Sequence, residues 1–192
     1  VTQNFTMGTK SMAFYAQYSG LQAYAWNYNK DTGVYTSTGQ GLKPIKNVGD
    51  YYGTIQADMI VSNRASTDIG IAFNASIPTD INKPHEANCR YWYMHLNPTK
   101  AGVVFQLSYV TPETGYKVVQ SAGKDAVASW ATKFDEFVNK GLDELVTNFK
   151  IEYTPTYIKC FVDNVEIINY TGELLNTLGY KDFAIRTSHA GN

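Results

Sequence analysis

The feature of this sequence that most constrains its fold is the alternation of apolar and polar residues in short segments. In "YYGTIQADMIV", Ile55, Ala57, Met59 and Val61 are separated by other, mostly polar residues, which predicts a strand with one buried face. Similar alternation recurs in "DIGIAFNAS", "CRYWYMHL", "AGVVFQLSY", "NFKIEY" and "YIKCFV". Short alternating strands separated by turns predict an all-β chain that folds as a two-sheet antiparallel sandwich.

Strand parity also predicts which side chains are buried. The predicted core residues are Phe73, Trp92, Met94, Phe105, Phe149, Ile151 and Val162. The same parity places Cys160 on a core face. It places Cys89 beside Tyr91 and Tyr93, on the face of its strand that points away from the core. We therefore expect two free thiols rather than a disulfide.

One segment, "KDAVASWATKFDEFVNKGLDELV", breaks the alternation. Its apolar residues recur at spacings of three and four, with charged residues on the other side, which predicts an amphipathic helix at about residues 124–146. The helix is either one piece of about five turns or two shorter pieces divided at Gly141. We expect its apolar stripe to pack on the sandwich; docking onto a partner protein is the alternative.

Length and charge narrow the class of protein. The 192 residues predict a single domain that spans residues 1–192. The net charge is −1, and Lys and Arg form no stripe, so we expect no nucleic-acid partner. No apolar run approaches the roughly 18 residues that a membrane span needs, so no membrane insertion is expected. No signal peptide opens the sequence, and we expect a mature chain or an excised piece.

The motifs of enzyme active sites are missing from the sequence. No strand carries an E-x-D-x-x-E pattern of carboxylates, and neither a G-x-S-x-G turn nor a phosphate loop occurs. His85, His95 and His189 are isolated, and we expect each one at the surface or in a turn. No C-x-x-C or H-x-x-x-H pair indicates a metal site. We therefore expect a protein that is not an enzyme and has no cofactor, with a structural calcium ion left open.

The order of these segments resembles a known fold family, the concanavalin A-like, laminin G-like jelly roll. The family's "aGvvFr" and "nYYylrld" strands resemble residues 70–73 and 90–97. Its later "ikvyvDGk" and "G.vGlrt.ha" motifs resemble residues 158–165 and 179–190. The resemblance covers roughly residues 50–192 and is greatest to carbohydrate-binding modules of bacterial glycoside hydrolases and surface proteins. It implies a jelly-roll fold, an extracellular or cell-surface location, a glycan partner and attachment to further domains.

Two positions depart from the family pattern, and the chain ends before the pattern does. Asn74 stands where the family often has Arg, and the predicted helix replaces what is usually a short turn with a Trp.

In the family, a last strand follows the segment that matches "IRTSHAGN". The opening "VTQNFTMG" resembles that strand, so we expect residues 1–8 to form a strand that completes the sheet beside Ala184–Thr187.

A glycan site needs a flat aromatic ring and planar polar groups, and three parts of the sequence supply them. The first is the long polar loop at residues 76–90. The second is the outward face of the strand at residues 90–97, with Gln106 beside it. The third is the alternating aromatic residues of "AYAWNYN", for which core packing is the alternative. The candidate ligand-binding residues are Asp80, His85, Glu86, Arg90, Tyr91, Tyr93, Trp26 and Tyr28.

Together these features favour a non-catalytic carbohydrate-binding module of a secreted or cell-surface bacterial protein. The first alternative is a structural or adhesive repeat that binds protein or matrix. The second is a divergent glycoside hydrolase, which the missing carboxylate pair disfavours.

Overall fold

The computed structural model of the protein is a sandwich of two β-sheets with a helix at one end. It describes residues 13–16, 26–37, 41–45, 51–61, 67–77, 89–99 and 102–189. The described strands are β1 (Ala13–Ala16), β2 (Trp26–Asn29), β3 (Val34–Ser37), β4 (Gly41–Ile45), β5 (Gly53–Val61), β6 (Thr67–Ser76), β7 (Arg90–Thr99), β8 (Gly102–Thr111), β9 (Gly115–Gly123), β10 (Leu145–Tyr153), β11 (Ile158–Val162), β12 (Val165–Tyr170) and β13 (Asp182–His189).

The strands form one sheet of seven and one of six. The seven-stranded sheet has the order β12-β11-β10-β5-β1-β3-β2, and the six-stranded sheet has the order β4-β13-β6-β7-β8-β9. Neighbouring strands are antiparallel throughout, except that β1 runs parallel to both β3 and β5. The all-β antiparallel sandwich predicted from the alternation is therefore confirmed, with one short strand in the parallel direction.

The core lies between the two sheets. Each of the core residues predicted from strand parity has no solvent-exposed surface. They pack in one cluster with side chains from both sheets, among them Ile55 and Met59. Cys160 lies in this core, Cys89 lies outside it, and both thiols are free, as strand parity predicts.

The helix closes one end of the sandwich. It runs from Ala128 to Lys140 and follows a 3-10 turn at Lys124–Ala126. The buried Trp130 donates a hydrogen bond from its indole Nε1 to Thr147 Oγ1 at 2.8 Å, and its ring lies 4.7 Å from that of Phe105. The apolar stripe therefore packs on the sandwich, as expected.

The helix is shorter than the predicted 124–146 and stops at Gly141, where the sequence indicates a break. The helix ends at Gly141, which has a φ of 69°, a left-handed conformation that glycine adopts without steric cost. Leu145 continues the apolar spacing of the helix, but it also begins the alternation of β10, and it belongs to that strand. Gly141 ends the helix before Leu145, so Leu145 follows the alternation of the strand and not the spacing of the helix.

The described neighbours of β13 are β4 and β6. Phe183–Thr187 pairs with β4 on one side and β6 on the other, so both hydrogen-bonding edges of this stretch are occupied. Residues 1–8, which the sequence predicts as a strand beside it, lie outside the described residues. In the part of the chain that the structure describes, no helix has the length and apolar character needed to cross a membrane.

Asn74 ties three segments together at the end of the sandwich opposite the helix. Its side-chain nitrogen donates to the carbonyl oxygens of Tyr51 at 2.9 Å and Tyr180 at 3.0 Å. Its side-chain oxygen accepts from the backbone amides of Gly179 at 2.9 Å and Tyr180 at 3.2 Å. The residue is buried, with a φ of 45°. We call this part of the molecule the Asn74 end.

We predict that Asn74→Ala lowers the free energy of unfolding by about 2–4 kcal/mol, because it removes these hydrogen bonds and keeps a strained backbone. Asn164→Ala is the matched control. Asn164 also has a positive φ, of 67°, but it is exposed in the turn between β11 and β12, and its replacement is expected to cost about 1 kcal/mol. Urea unfolding measures both values. Equal losses in the two variants would show that the side-chain bonds of Asn74 contribute nothing.

Candidate functional site

The outer face of the six-stranded sheet, meaning the face that points away from the core, carries Tyr91, Tyr93 and His95. Strand parity predicts this direction correctly. All three side chains are nevertheless buried, at 1%, 0% and 0% exposure. Neither tyrosine ring therefore offers a free face on which a sugar can stack, and the expected role of Tyr91 and Tyr93 as stacking surfaces is corrected. The expectation that His95 lies at the surface or in a turn is also wrong.

Tyr91 and Tyr93 are buried because apolar residues gather on the outer face of the sheet. The residues of this second cluster are Ala72, Ala75, Ile77, Cys89, Tyr91, Tyr93, Val110 and Ala184. Leu42 of β4 packs against it. Part of the outer face of this sheet is thus a second, smaller core and is not exposed to solvent.

Next to the apolar cluster, the same face holds a buried polar network. Asp68, His95 and Arg186 are all buried, and Gly70 lies between Arg186 and His95 in one row across β13, β6 and β7. Arg186 NH1 lies 3.7 Å from Asp68 Oδ2, and His95 Nδ1 lies 2.7 Å from Asp68 Oδ1. Buried charges are tolerated when they are paired in this way.

The hydrogen bonds of the network have a defined direction. Beside Arg186, Asp68 is a carboxylate and can only accept, so it accepts from His95 Nδ1. In the neutral imidazole, a proton on Nδ1 makes Nε2 the acceptor. The hydroxyl of Tyr116 contacts Nε2 and donates to it. The hydroxyl of Ser108 donates in turn to the Tyr116 oxygen at 2.9 Å. A chain of bonds therefore runs from the buried carboxylate to the edge strand β9.

Rings stack along this chain. The Tyr93 and His95 rings lie 4.3 Å apart and nearly parallel, and the Arg186 guanidinium lies 4.9 Å from the centre of the Tyr93 ring. Burial, followed by the negative charge of Asp68, raises the pKa of Tyr93 well above its usual value. Tyr93 therefore remains a neutral hydroxyl, which donates to Asp68 at 3.1 Å.

Tyr116 is the solvent-exposed member of the network. Its residue is 45% exposed, while its hydroxyl reaches inward to His95 and Ser108. Partial burial raises the pKa of Tyr116 to about 12. The side chain is therefore an uncharged ring and hydroxyl at neutral pH.

The absence of a side chain at Gly70 allows the backbone of β6 to approach β7 at Met94 and His95. A Cβ at residue 70 would lie 2.2 Å from the carbonyl oxygen of Met94 and 2.5 Å from the Cβ of His95. Both distances are far below van der Waals contact. Only glycine lets β6 and β7 approach beneath the network.

We predict that Gly70→Ala destabilises the protein by about 1–3 kcal/mol through overpacking, with a lower melting temperature in calorimetry. Gly53→Ala in β5 is the control, because a Cβ there meets nothing within 4 Å. The control is expected to leave the melting temperature unchanged or slightly raised. A Gly70→Ala protein that melts with the wild type would contradict the close approach.

The Asn74 end is the second candidate surface, and it is open to solvent. Tyr51 and Tyr180, whose backbones bind Asn74, are 46% and 37% exposed, and Tyr52 is exposed beside them. The ammonium group of Lys181 lies 4.4 Å from the centre of the Tyr51 ring. This end therefore presents exposed rings beside a cation.

One of the loop candidates, Arg90, lies at the same end. Arg90 begins β7 there and forms an ion pair with Glu113, in the turn between β8 and β9. The segment that carries Asp80, His85 and Glu86 connects β6 to β7, and it lies outside the described residues.

Trp26 and Tyr28 lie elsewhere in the fold. Trp26 begins β2, an edge strand of the seven-stranded sheet. Tyr28 is 54% exposed, and its ring lies 4.5 Å from that of Tyr35 on β3. The structure therefore does not bring these residues onto the sheet that holds Arg90, Tyr91 and Tyr93. Among the described residues, no group of three or more His, Cys, Asp and Glu could hold a metal ion.

Comparison with solved structures supports the jelly-roll fold. The carbohydrate-binding module CBM66 from Bacillus subtilis matches with a TM-score of 0.53 at 10% identity, over 86% of this chain and 83% of the module. A glycoside hydrolase family 16 endo-glucanase from Bacteroides ovatus matches with a TM-score of 0.51 at 13% identity, over 87% of this chain and 66% of the enzyme. No family model and no curated protein matches the sequence. The protein thus has a jelly-roll sandwich fold, which it shares with a carbohydrate-binding module and with a glycoside hydrolase.

Proposed function

We propose that this chain is a non-catalytic carbohydrate-binding module of a secreted or cell-surface bacterial protein, joined to further domains, and that it binds a polysaccharide or glycan at the Asn74 end. The observation that carries the proposal is the pair of exposed rings, Tyr51 and Tyr180, with the Lys181 ammonium group over the Tyr51 ring. A pyranose presents apolar C–H faces that stack on such rings, and its hydroxyls bind the flanking polar groups.

The rigidity of this end favours binding. The Asn74 side chain bonds to the backbone of Tyr51 and Tyr180, so both rings project from a base that is already ordered. A preorganised site loses little conformational freedom when a ligand binds. Asp80, His85 and Glu86 stay candidate ligand-binding residues by sequence alone, in the connection between β6 and β7.

The chemistry of the outer face supports a binding function over hydrolysis. A glycosidase needs two carboxyl groups facing each other across the substrate. Asp68 is buried and already engaged by Tyr93, His95 and Arg186. A carboxylate so occupied is poorly placed to attack or protonate a sugar. The fold alone does not decide between the two functions.

We predict that Tyr51→Ala and Tyr180→Ala each weaken glycan binding about fivefold, on the order of 1 kcal/mol per ring. The side chains are removed while the backbone groups that bind Asn74 remain. Tyr28→Ala is the matched control, because it removes a similarly exposed ring from the edge strand β2, three strands from β5. Affinity electrophoresis against a panel of soluble polysaccharides measures all three.

The results of this experiment distinguish the proposed site and function from their alternatives. Weakening in Tyr28→Ala alone would move the site to the hairpin of β2 and β3. Retention by protein or matrix, but by no polysaccharide, would favour the adhesive repeat. Release of reducing sugar from the same polysaccharides would make the protein a hydrolase.

A second prediction concerns Arg90. Arg90→Ala is expected to abolish retention on the polysaccharide with only a small change in melting temperature, because its ion pair with Glu113 is exposed to solvent. Glu86→Ala is expected to do the same. Glu113→Ala is the control, since it breaks the same ion pair and leaves the guanidinium available. Equal binding by Arg90→Ala and Glu113→Ala would exclude Arg90 from the site.

A further inference from the structure

A row of polar groups at the edge of the six-stranded sheet is not used by the Asn74 end. It consists of Asn97 on β7, Gln106 on β8 and Tyr116 on β9. Asn97 is seven residues along β7 from Arg90, which corresponds to about 23 Å at the usual rise of a strand. One sugar ring cannot contact Arg90 and Asn97 together.

The hydrogen-bonding capacity of this row is incompletely used. Asn97 Nδ2 and the Tyr116 hydroxyl each lie 3.5 Å from Gln106 Oε1, at the long limit of a hydrogen bond. Among the described residues, the Gln106 side-chain nitrogen and the Asn97 side-chain oxygen have no partner. Two N–H donors and one carbonyl acceptor therefore remain for a ligand.

The ring of Tyr116 completes the set. Its exposed part lies at the edge strand, and its hydroxyl is held from behind by His95 and Ser108. Because Asp68 keeps the proton of His95 on Nδ1, the hydroxyl donates inward and its oxygen accepts from Ser108. The ring is thereby fixed in one position, as a stacking surface needs to be.

We propose that Asn97, Gln106 and Tyr116 form a second glycan-binding subsite, which takes an uncharged sugar by stacking on the Tyr116 ring and by hydrogen bonds from adjacent hydroxyls to the two amides. This subsite depends on the proposed function only in that its partner is a glycan. No ionised group is needed for it, since the charges of Asp68 and Arg186 are paired beneath the surface. A chain with two subsites would bind a polysaccharide at two points and gain from avidity.

Isothermal titration calorimetry with a neutral trisaccharide, cut from whichever soluble polysaccharide the protein retains, tests this proposal. The wild type is expected to bind two trisaccharides. Tyr116→Ala and Gln106→Ala are each expected to bind one, and Tyr51→Ala is expected to keep the site that they lose.

Tyr116→Phe, which keeps the ring and removes the hydroxyl, covers the case in which Tyr116→Ala does not fold. It is expected to weaken the second site at least about threefold through the loss of its anchoring bonds. Val118→Ala is the control, because Val118 is 42% exposed on the same edge strand and has no polar group.

The outcomes distinguish the two proposals. A single site that Tyr51→Ala weakens and Tyr116→Ala leaves intact would overturn the second subsite and support the first. An equal loss in Val118→Ala and Tyr116→Ala would also overturn it, because the effect would then arise from the edge strand as a whole. A protein that retains no polysaccharide and gives no heat with any glycan would overturn both.

Discussion

The side chain of Asn74 makes the hydrogen bonds on which the exposed end of this molecule depends. Three stretches that are distant in sequence meet there: the segment before β5, the left-handed residue within β6, and the segment before β13. Because every polar atom of the amide is used, the stretches are held in one relative position. The rings of Tyr51 and Tyr180 project from that base. Asn74 therefore supports an exposed surface while being buried itself.

The outer face of the six-stranded sheet follows a second constraint, which is that a buried charge needs a partner. Asp68 and Arg186 neutralise each other, and His95 and Tyr93 occupy one carboxylate oxygen. The buried, hydrogen-bonded side chains of this face thus form a rigid layer that supports the edge strand β9. In a jelly roll that serves both binding modules and hydrolases, this occupation of the carboxylate is a chemical reason to favour binding. The same network determines the direction in which the Tyr116 hydroxyl donates.

Much of the fold could be predicted from the sequence, because side-chain direction in a strand has a period of two. The predicted core residues from Phe73 to Val162 are all buried for this reason. The burial of Tyr91 and Tyr93 could not be predicted in this way, since parity gives the face and not what packs on it. The pairing of β13 with β4 and the contact of His95 with Asp68 depend on contacts between distant strands. Tyr51 and Tyr180 likewise meet only through Asn74, and no local pattern in the sequence links them.

The central claim is that the Asn74 end binds a glycan, and amide chemical shifts test it most directly. An oligosaccharide from a retained polysaccharide would be titrated into the 15N-labelled protein and the two-dimensional amide spectrum recorded. The largest shifts are expected at Tyr51, Gly179, Tyr180 and Lys181, where exposed rings and ordered backbone coincide. Saturable shifts confined to the hairpin of β2 and β3, with the amides of the Asn74 end unchanged, would contradict the account.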